Sequence, residues 1–337
     1  MKIGFVAFSE KQIRLRSLVK ILAKDSGIEV FNYYPSDAEI YKKKNIKNSN
    51  LVEYPEIIDN IDAFYIRNLK KNELFKNTLI LREYRSHKKD IQDKIIRNSK
   101  FKKMAIDTYM YGDCKVEELL KKYKEIIIKQ ANSFGGKGKI RLTREGKNFI
   151  VQNGHEIEKI SEKKFYRKYD ENFRNNLYYV QPFLNFKTSF GNPFDIRLVV
   201  TRGENGKCVS MNPIIRIGNI AGIVSNMVLG GYGITFNIKN FFIQEFGFDA
   251  DRIIEELNEV SKKLFEVFQK RYFMLIPSVG FDIGIDKNSN NEIKFIEING
   301  CPSIIPAIEY DYAKARVDYY KFIIENYDNL LVTQKNR

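Results

Sequence analysis

Histidine and cysteine are scarce in this 337-residue chain, which has two of the first and three of the second. Cys114, Cys208 and Cys301 lie far apart without metal-ligating or redox spacing, and His87 and His155 are the only histidines. A zinc centre, a disulfide framework and a Ser-His-Asp triad are therefore poor readings. No apolar run reaches the roughly 18 residues of a membrane span, and the start, MKIGFVAFSEKQ, reads as a strand followed by charges rather than a leader. The expectation is a soluble, cytoplasmic chain without a membrane partner. Two phosphate-binding fingerprints are missing as well. FSEKQ stands where a dinucleotide binder needs GxGxxG after its first strand, and no GK[ST] opens a helix as in a P-loop.

What is present is a chain with 43% hydrophobic residues, long enough for two domains or one elaborate α/β domain. Its net charge of +15 and pI of about 9.4 point to an anionic partner, whether nucleotide, nucleic acid or acidic substrate. No basic helix-turn-helix or aromatic RNP-like stripe supports nucleic acid, which ranks last. Lys42, Lys43, Lys44 and Lys47, with Lys70, Lys71, Arg82 and Arg85, concentrate the basic surplus in the first part of the chain. Such a run is either a solvated face or a surface that steers an acidic acceptor, a peptide or a polyanionic metabolite.

The most informative stretch is VGFDIGIDKNSNNEIKFIEINGCPS, Val279 to Ser303. Val279, Phe281, Ile283 and Ile285 alternate with Gly280, Asp282, Gly284 and Asp286, the period of a strand with one apolar face. Lys287 to Asn291 reads as a turn and Ile293 to Asn299 as a second strand, and a turn centred at Ser289 and Asn290 would place Asp282 opposite Glu297, with Asn299 on the same side as Glu297. Cross-strand neighbours lie about 5 Å apart at Cβ, so two carboxylates there either hold a cation between them or are solvated on an exposed hairpin. An all-oxygen set of Asp, Glu and Asn suits Mg²⁺ or Mn²⁺. Asp286, near the turn, is read as structural.

Earlier in the chain, strands are expected at Met1 to Phe8, Ile28 to Tyr33 and Ile61 to Ile66, alternating with a Ser9-capped helix, as in a small open α/β domain. A helix follows from about Asp90 to Ser99, and another from Lys115 to Tyr123. Lys129 projects from the apolar strand Glu125 to Gln130, just ahead of the loop ANSFGGKGK. Gly135, Gly136 and Gly138 there allow close backbone approach to phosphate, or simply make a flexible tip. Residues 156 to about 173 read as a helical insert, and Leu177 to Gln181 as a strand leading into PFLNF. Asn205-Gly206 is a hairpin turn. Arg197 and Arg216, embedded among Ile, Leu and Val, need a phosphate or carboxylate partner, whereas Arg202 reads as a surface arginine. A helix opened by Asp249 or Asp251 and a last one over about Ala313 to Tyr327 close the chain, with fraying after Thr333.

In this order, the DIR motif, RIGNIAGIVSNMVLGG and FDIGID…FIEINGCPS resemble the ATP-grasp superfamily over roughly residues 90 to 310. The chain looks most like the YheC/YheD-type, spore-coat-associated group, with motifs similar to glutathione synthetase and RimK-type ligases. The resemblance implies an α/β (α+β) fold: a small domain over residues 1–90, then an ATP-grasp domain over 91–330 whose lid spans about 122–181. It further implies that Lys94 and Lys129 contact nucleotide phosphate, that the Gly135, Gly136 and Gly138 loop covers it, and that the hinge Gln181, Phe183 and Leu184 meets adenine. Asp282, Glu297 and Asn299 match magnesium ligands, and Arg197, Arg216 and Asn226 line the phosphate and acceptor side. Lys129-Gln130 stands where relatives carry KP, and Gln181 where they often carry Glu. The implied activity is an ADP-forming carboxylate-amine ligase using ATP and Mg²⁺ (or Mn²⁺) through an acyl phosphate, on small-molecule or peptide substrates. The alternative from another class is a nucleotide-binding coat-associated protein without turnover.

Overall fold

The computed structural model describes residues 1–6, 13–33, 57–60, 77–81, 89–131, 138–225, 230–270, 276–300 and 302–336. Three sheets follow one another along them. The first contains β1 (Lys2–Val6), β2 (Glu29–Tyr33), β3 (Ile57–Asn60) and β4 (Leu79–Leu81), all parallel, in the order β2-β1-β3-β4. Parallel strands require crossovers and covered faces. Helix α1 (Ile13–Asp25) supplies one crossover and packs Leu15, Val19 and Ala23 with Ile3, Ile57 and Leu79. The strand expected at Ile61 to Ile66 lies outside the described residues, as do Lys42, Lys43, Lys44, Lys47, Lys70, Lys71, Arg82 and Arg85.

After α2 (Lys89–Arg97) comes an antiparallel sheet of β5 (Tyr109–Met110), β6 (Glu125–Gln130), β7 (Lys139–Glu145), β8 (Asn148–Asn153), β9 (Glu156–Ser161) and β10 (Tyr178–Pro182). Its order is β5-β10-β6-β7-β8-β9. Ile126, Ile128, Ile140, Leu142, Phe149, Val151 and Val180 share one face and pack with residues of α3 (Val116–Tyr123) and α4 (Glu162–Asn175). The period of two then places Lys129, Arg141, Gln152, Tyr179 and Gln181 together on the other face. Residues 156 to 161 are a strand and not the start of the helix expected there. Gly154, at φ +61°, turns the chain back along β8, and Ser161 Oγ accepts from Lys164 N–H at 3.3 Å, so the helix begins only at Glu162.

The third sheet is built from β11 (Phe194–Arg202), β12 (Cys208–Ser210), β13 (Ile214–Ile217), β14 (Tyr232–Ile234), β15 (Ser278–Asp286) and β16 (Glu292–Asn299). The order is β14-β13-β11-β15-β16, with β12 paired to β11. One face, with Phe194, Ile196, Leu198, Phe281 and Ile283, packs on Phe242 of α5 (Ile238–Phe246) and on Leu257, Leu264 and Phe268 of α6 (Ala250–Gln269). Across the opposite face, Val199 and Ile214 join a second core with α7 (Pro306–Glu325) and the first sheet. Here Arg316 holds the fully buried Asp59 through two hydrogen bonds of 2.7 and 2.6 Å, and the Tyr320 hydroxyl donates to the same carboxylate. The helix expected from about Ala313 starts earlier, with α7 opening at Pro306 in its first turn. Nor does the end fray at Thr333. Gln334, in α8 (Tyr327–Lys335), is buried, accepting from Ile80 N–H and donating to Thr78 C=O, each at 2.9 Å, which satisfies backbone groups at β4.

Arg202 is no surface arginine. It is 1% exposed and donates to the carbonyls of Ile276 (3.0 Å) and Gly206 (2.6 Å) and to Gln269 Oε1, with its guanidinium 5.2 Å from the Phe265 ring centre. The chain segments it bonds to close over the end of β11, and their buried carbonyls require donors.

Candidate active site

Four neighbouring strands of the third sheet bring polar side chains onto one face. Pairing sets Arg197 opposite Asp282 and Asp282 opposite Glu297, while Asp195 faces Arg216 one strand over. The glycines between are required by close approach. A Cβ at Gly280 would lie 2.8 Å from Pro302, and one at Gly284 within 2.4 to 2.5 Å of the Phe186 ring, so the alternating Gly-x-Asp-x-Gly gives a floor bare except for Asp282. Asp286 is structural, as its place near the turn implied. It is buried, accepts from the N–H groups of Asn185 and Asn288 at 3.2 Å each and from Ser289 Oγ at 2.7 Å, and so pins the hairpin turn.

Asp282, 2% exposed, is the centre of the row. Arg197 donates to both its oxygens, Nε to Oδ1 at 2.8 Å and Nη2 to Oδ2 at 2.9 Å, and Arg216 Nη2 lies 2.9 Å from Oδ2. Burial alone would push its carboxyl up, but Arg197 and Arg216 outweigh that and hold it well below the usual carboxylate range. Burial likewise works against the charge of Arg216, and the carboxylates of Asp282 and Asp195 hold it charged, the latter through two hydrogen bonds of 2.5 Å. The arginines thus meet carboxylates, as their apolar sequence context required.

The donor set fits a hard cation. Asn299 Nδ2 donates to Asp282 Oδ2 at 3.1 Å, which completes that oxygen and turns the Asn299 amide oxygen away from it. Asp282 Oδ1 carries one hydrogen bond among the described residues, and Glu297, beside it in register, forms no side-chain hydrogen bond or ion pair among them. Asp282 Oδ1, Glu297 and the Asn299 oxygen thus leave acceptor capacity of the kind Mg²⁺ or Mn²⁺ takes.

The second sheet presents its polar face to the same region. Lys129 Nζ donates to Gln181 Oε1 at 2.8 Å, and Gln181 Nε2 donates to Thr108 Oγ1 at 2.8 Å. Burial, then the charges of Lys139 and Lys89, push the Lys129 ammonium down to about 7, with Glu297 and Asp93 opposing. Burial raises the Tyr179 hydroxyl, helped by Glu297 and Asp93, so these six groups share one electrostatic neighbourhood. A lysine crowded by two others is a site short of anion. Phosphate arriving there favours the ammonium, so between pH 7 and 9 binding must take up a proton, and affinity must fall as pH rises. Calorimetry of ATP binding at pH 8 in buffers of different ionisation enthalpy should show this uptake, shrinking toward zero by pH 6, where Lys129 is already charged.

Of the other expected residues, Phe183 and Leu184 lie half-buried in the segment joining the two sheets, with Phe183 N–H donating to Glu125 C=O at 3.0 Å. Gly138, at φ +67°, accepts from Gln130 N–H at 3.1 Å. Gly135, Gly136 and Asn226 lie outside the described residues. Lys94 is exposed on α2. The same helix turns Lys89 inward, buried and paired with Asp93, 5.4 Å from the Phe295 ring centre. Sequence reading missed Lys89 and Asp93, whose only signal was a four-residue spacing shared by any solvated helical pair.

Two solved structures of N5-carboxyaminoimidazole synthetase from Staphylococcus aureus, one complexed with ADP, are similar to this chain in fold. Their TM-scores are 0.53 and 0.54 at 14% identity, over 94% of this chain and 76% and 77% of theirs. The fold is that of the ATP-grasp proteins. Within them, the chain belongs to the YheC/D-like ATP-grasp family, whose model matches residues 77–330. It is also 24% identical over 192 residues to the endospore coat-associated protein YheC of Bacillus subtilis (strain 168), covering 56% of this chain and 51% of that protein. The chain therefore spans about half the length of the curated relative it matches.

Proposed function

We propose that this protein is an ADP-forming ligase that uses ATP to activate a carboxylate as an acyl phosphate and passes the acyl group to an amine. The observation that carries the reading is Asp282, fixed between Arg197 and Arg216 and set in register beside Glu297. The reading divides the chain near residue 90 and treats residues of about 122–181 as the lid. Nucleotide would lie between the sheets, its base at the Gln181, Phe183 and Leu184 segment and its phosphates toward Lys129 and Lys94, under the glycine loop of Gly135, Gly136 and Gly138. Asp282, Glu297 and Asn299 would hold Mg²⁺, which neutralises charge between phosphate oxygens when bound.

The arginines account for the remaining charge. Among the described residues Arg197 and Arg216 each commit Nε and Nη2 to carboxylates and keep Nη1 free, pre-oriented for an oxygen of the transferring phosphoryl group. The family resemblance alone would add Asn226, which lies outside the described residues, on the acceptor side. Phosphoryl transfer needs positioning and charge stabilisation more than covalent help, which suits a site with no histidine or cysteine among its described groups.

The test is a screen of carboxylic acids, short acidic peptides included, with MgATP and hydroxylamine as a trapping amine. Acid-dependent ADP and phosphate, with a hydroxamate of the acid, are expected. Formation of AMP and pyrophosphate, or ADP without hydroxamate from any acid that stimulates it, would contradict the acyl-phosphate route.

A further inference from the structure

Arg141, on β7, was singled out by no motif, yet it joins three elements. Its Nε and Nη2 donate to Glu125 Oε2 at 3.2 and 2.7 Å, its Nη1 donates to Gln152 Oε1 at 3.3 Å, and its guanidinium lies 4.5 Å from the Phe183 ring centre. That distance is the cation–π range, and the bonds to Glu125 stop the guanidinium from swinging off the ring. Gln152 in turn donates from Nε2 to the carbonyl of Ala221 at 2.9 Å. Ala221 lies in the turn that follows β13, the strand of Arg216, so a contact chain runs from the segment between the sheets to the third sheet.

We infer that Arg141 is a positioning residue for the nucleotide base: it fixes Phe183 as a stacking wall and, through Gln152, ties that wall to the turn beside Arg216. The inference rests on the nucleotide reading above. A purely structural ion pair with Glu125 would need only a positive charge, which lysine supplies. A stacking wall needs the planar, forked guanidinium, which lysine lacks.

The chain contains no tryptophan, so Phe183→Trp introduces a single reporter at the wall. ATP affinity by calorimetry and tryptophan emission are measured in this background and in Arg141→Lys and Arg141→Gln, with thermal unfolding as a fold control. Both Arg141 variants should weaken ATP three- to ten-fold, to similar extents, at unchanged affinity for inorganic pyrophosphate, which has no base. The emission change on adding ATP should shrink in both. Gln152→Ala, which leaves the guanidinium on the ring, should keep that emission change. Restoration of ATP affinity by lysine, or equal losses for ATP and pyrophosphate, would overturn the inference and leave the nucleotide reading intact. Absence of any ATP binding by the unmutated chain would overturn both.

Discussion

Asp282→Ala is expected to destabilise the protein by about 3 to 5 kcal/mol, because removing one partner of a buried ion pair strands the other. Arg197 loses both hydrogen bonds to the carboxylate, and Arg216 loses one of its two acidic partners. The loss is read from denaturant unfolding at pH 7, and a change under about 1 kcal/mol would contradict the geometry. The pH dependence carries the same signature. A carboxylate held below its unfolded value of about 3.9 contributes stability above that pH and loses it as pH falls toward the folded value. The variant should therefore show a flatter loss of stability below about pH 4 than its parent. Acid-dependent ADP formation should vanish with the carboxylate.

Glu297→Gln separates chemistry from folding. Glu297 forms no ion pair among the described residues, so replacing it with the isosteric amide should change unfolding stability by less than about 1 kcal/mol. The charge that would balance the cation disappears, however, and ADP formation should fall on the order of a hundred-fold, the scale on which groups that stabilise transition-state charge are felt. Turnover within two-fold of the parent, at saturating metal, would remove Glu297 from the site.

The parts of this site that were legible in the sequence are those set by local rules. Period-two alternation and a polar turn made the Asp282–Glu297 pair legible, but not for the whole reason. The turn sets Asp286 opposite Glu292, a register that alone would put Asp282 opposite Ile296, and a bulge beside Asp282 shifts the pairing to Glu297. Arg197 and Arg216 were legible because a guanidinium inside an apolar strand must find a partner. Residues whose burial is decided by distant chain were not. Arg202 follows Val-Val-Thr like any edge arginine until residues 276 and 277, some 75 positions away, fold over it. Lys89 and Asp93 are buried only because α2 lies on β16, where Gln92 accepts from Ile298 N–H at 3.2 Å. In the stretch read as a helical insert, Ile157 and Ile160 fit helical spacing as well as an edge strand, and pairing with β8 decided for the strand. The start of α7 did have a local signal, Pro306 in its first turn, which the expectation of a helix from about Ala313 passed over.

The most direct test of the central claim, that nucleotide phosphate lies between the sheets, is calorimetric titration of MgATP into the unmutated protein and into Lys129→Ala. A charge-assisted phosphate contact contributes about 1.5 to 3 kcal/mol, so binding to one site should weaken ten-fold or more in the variant while its fold is retained. Equal affinity in both proteins, or no binding to the unmutated one, would contradict the claim.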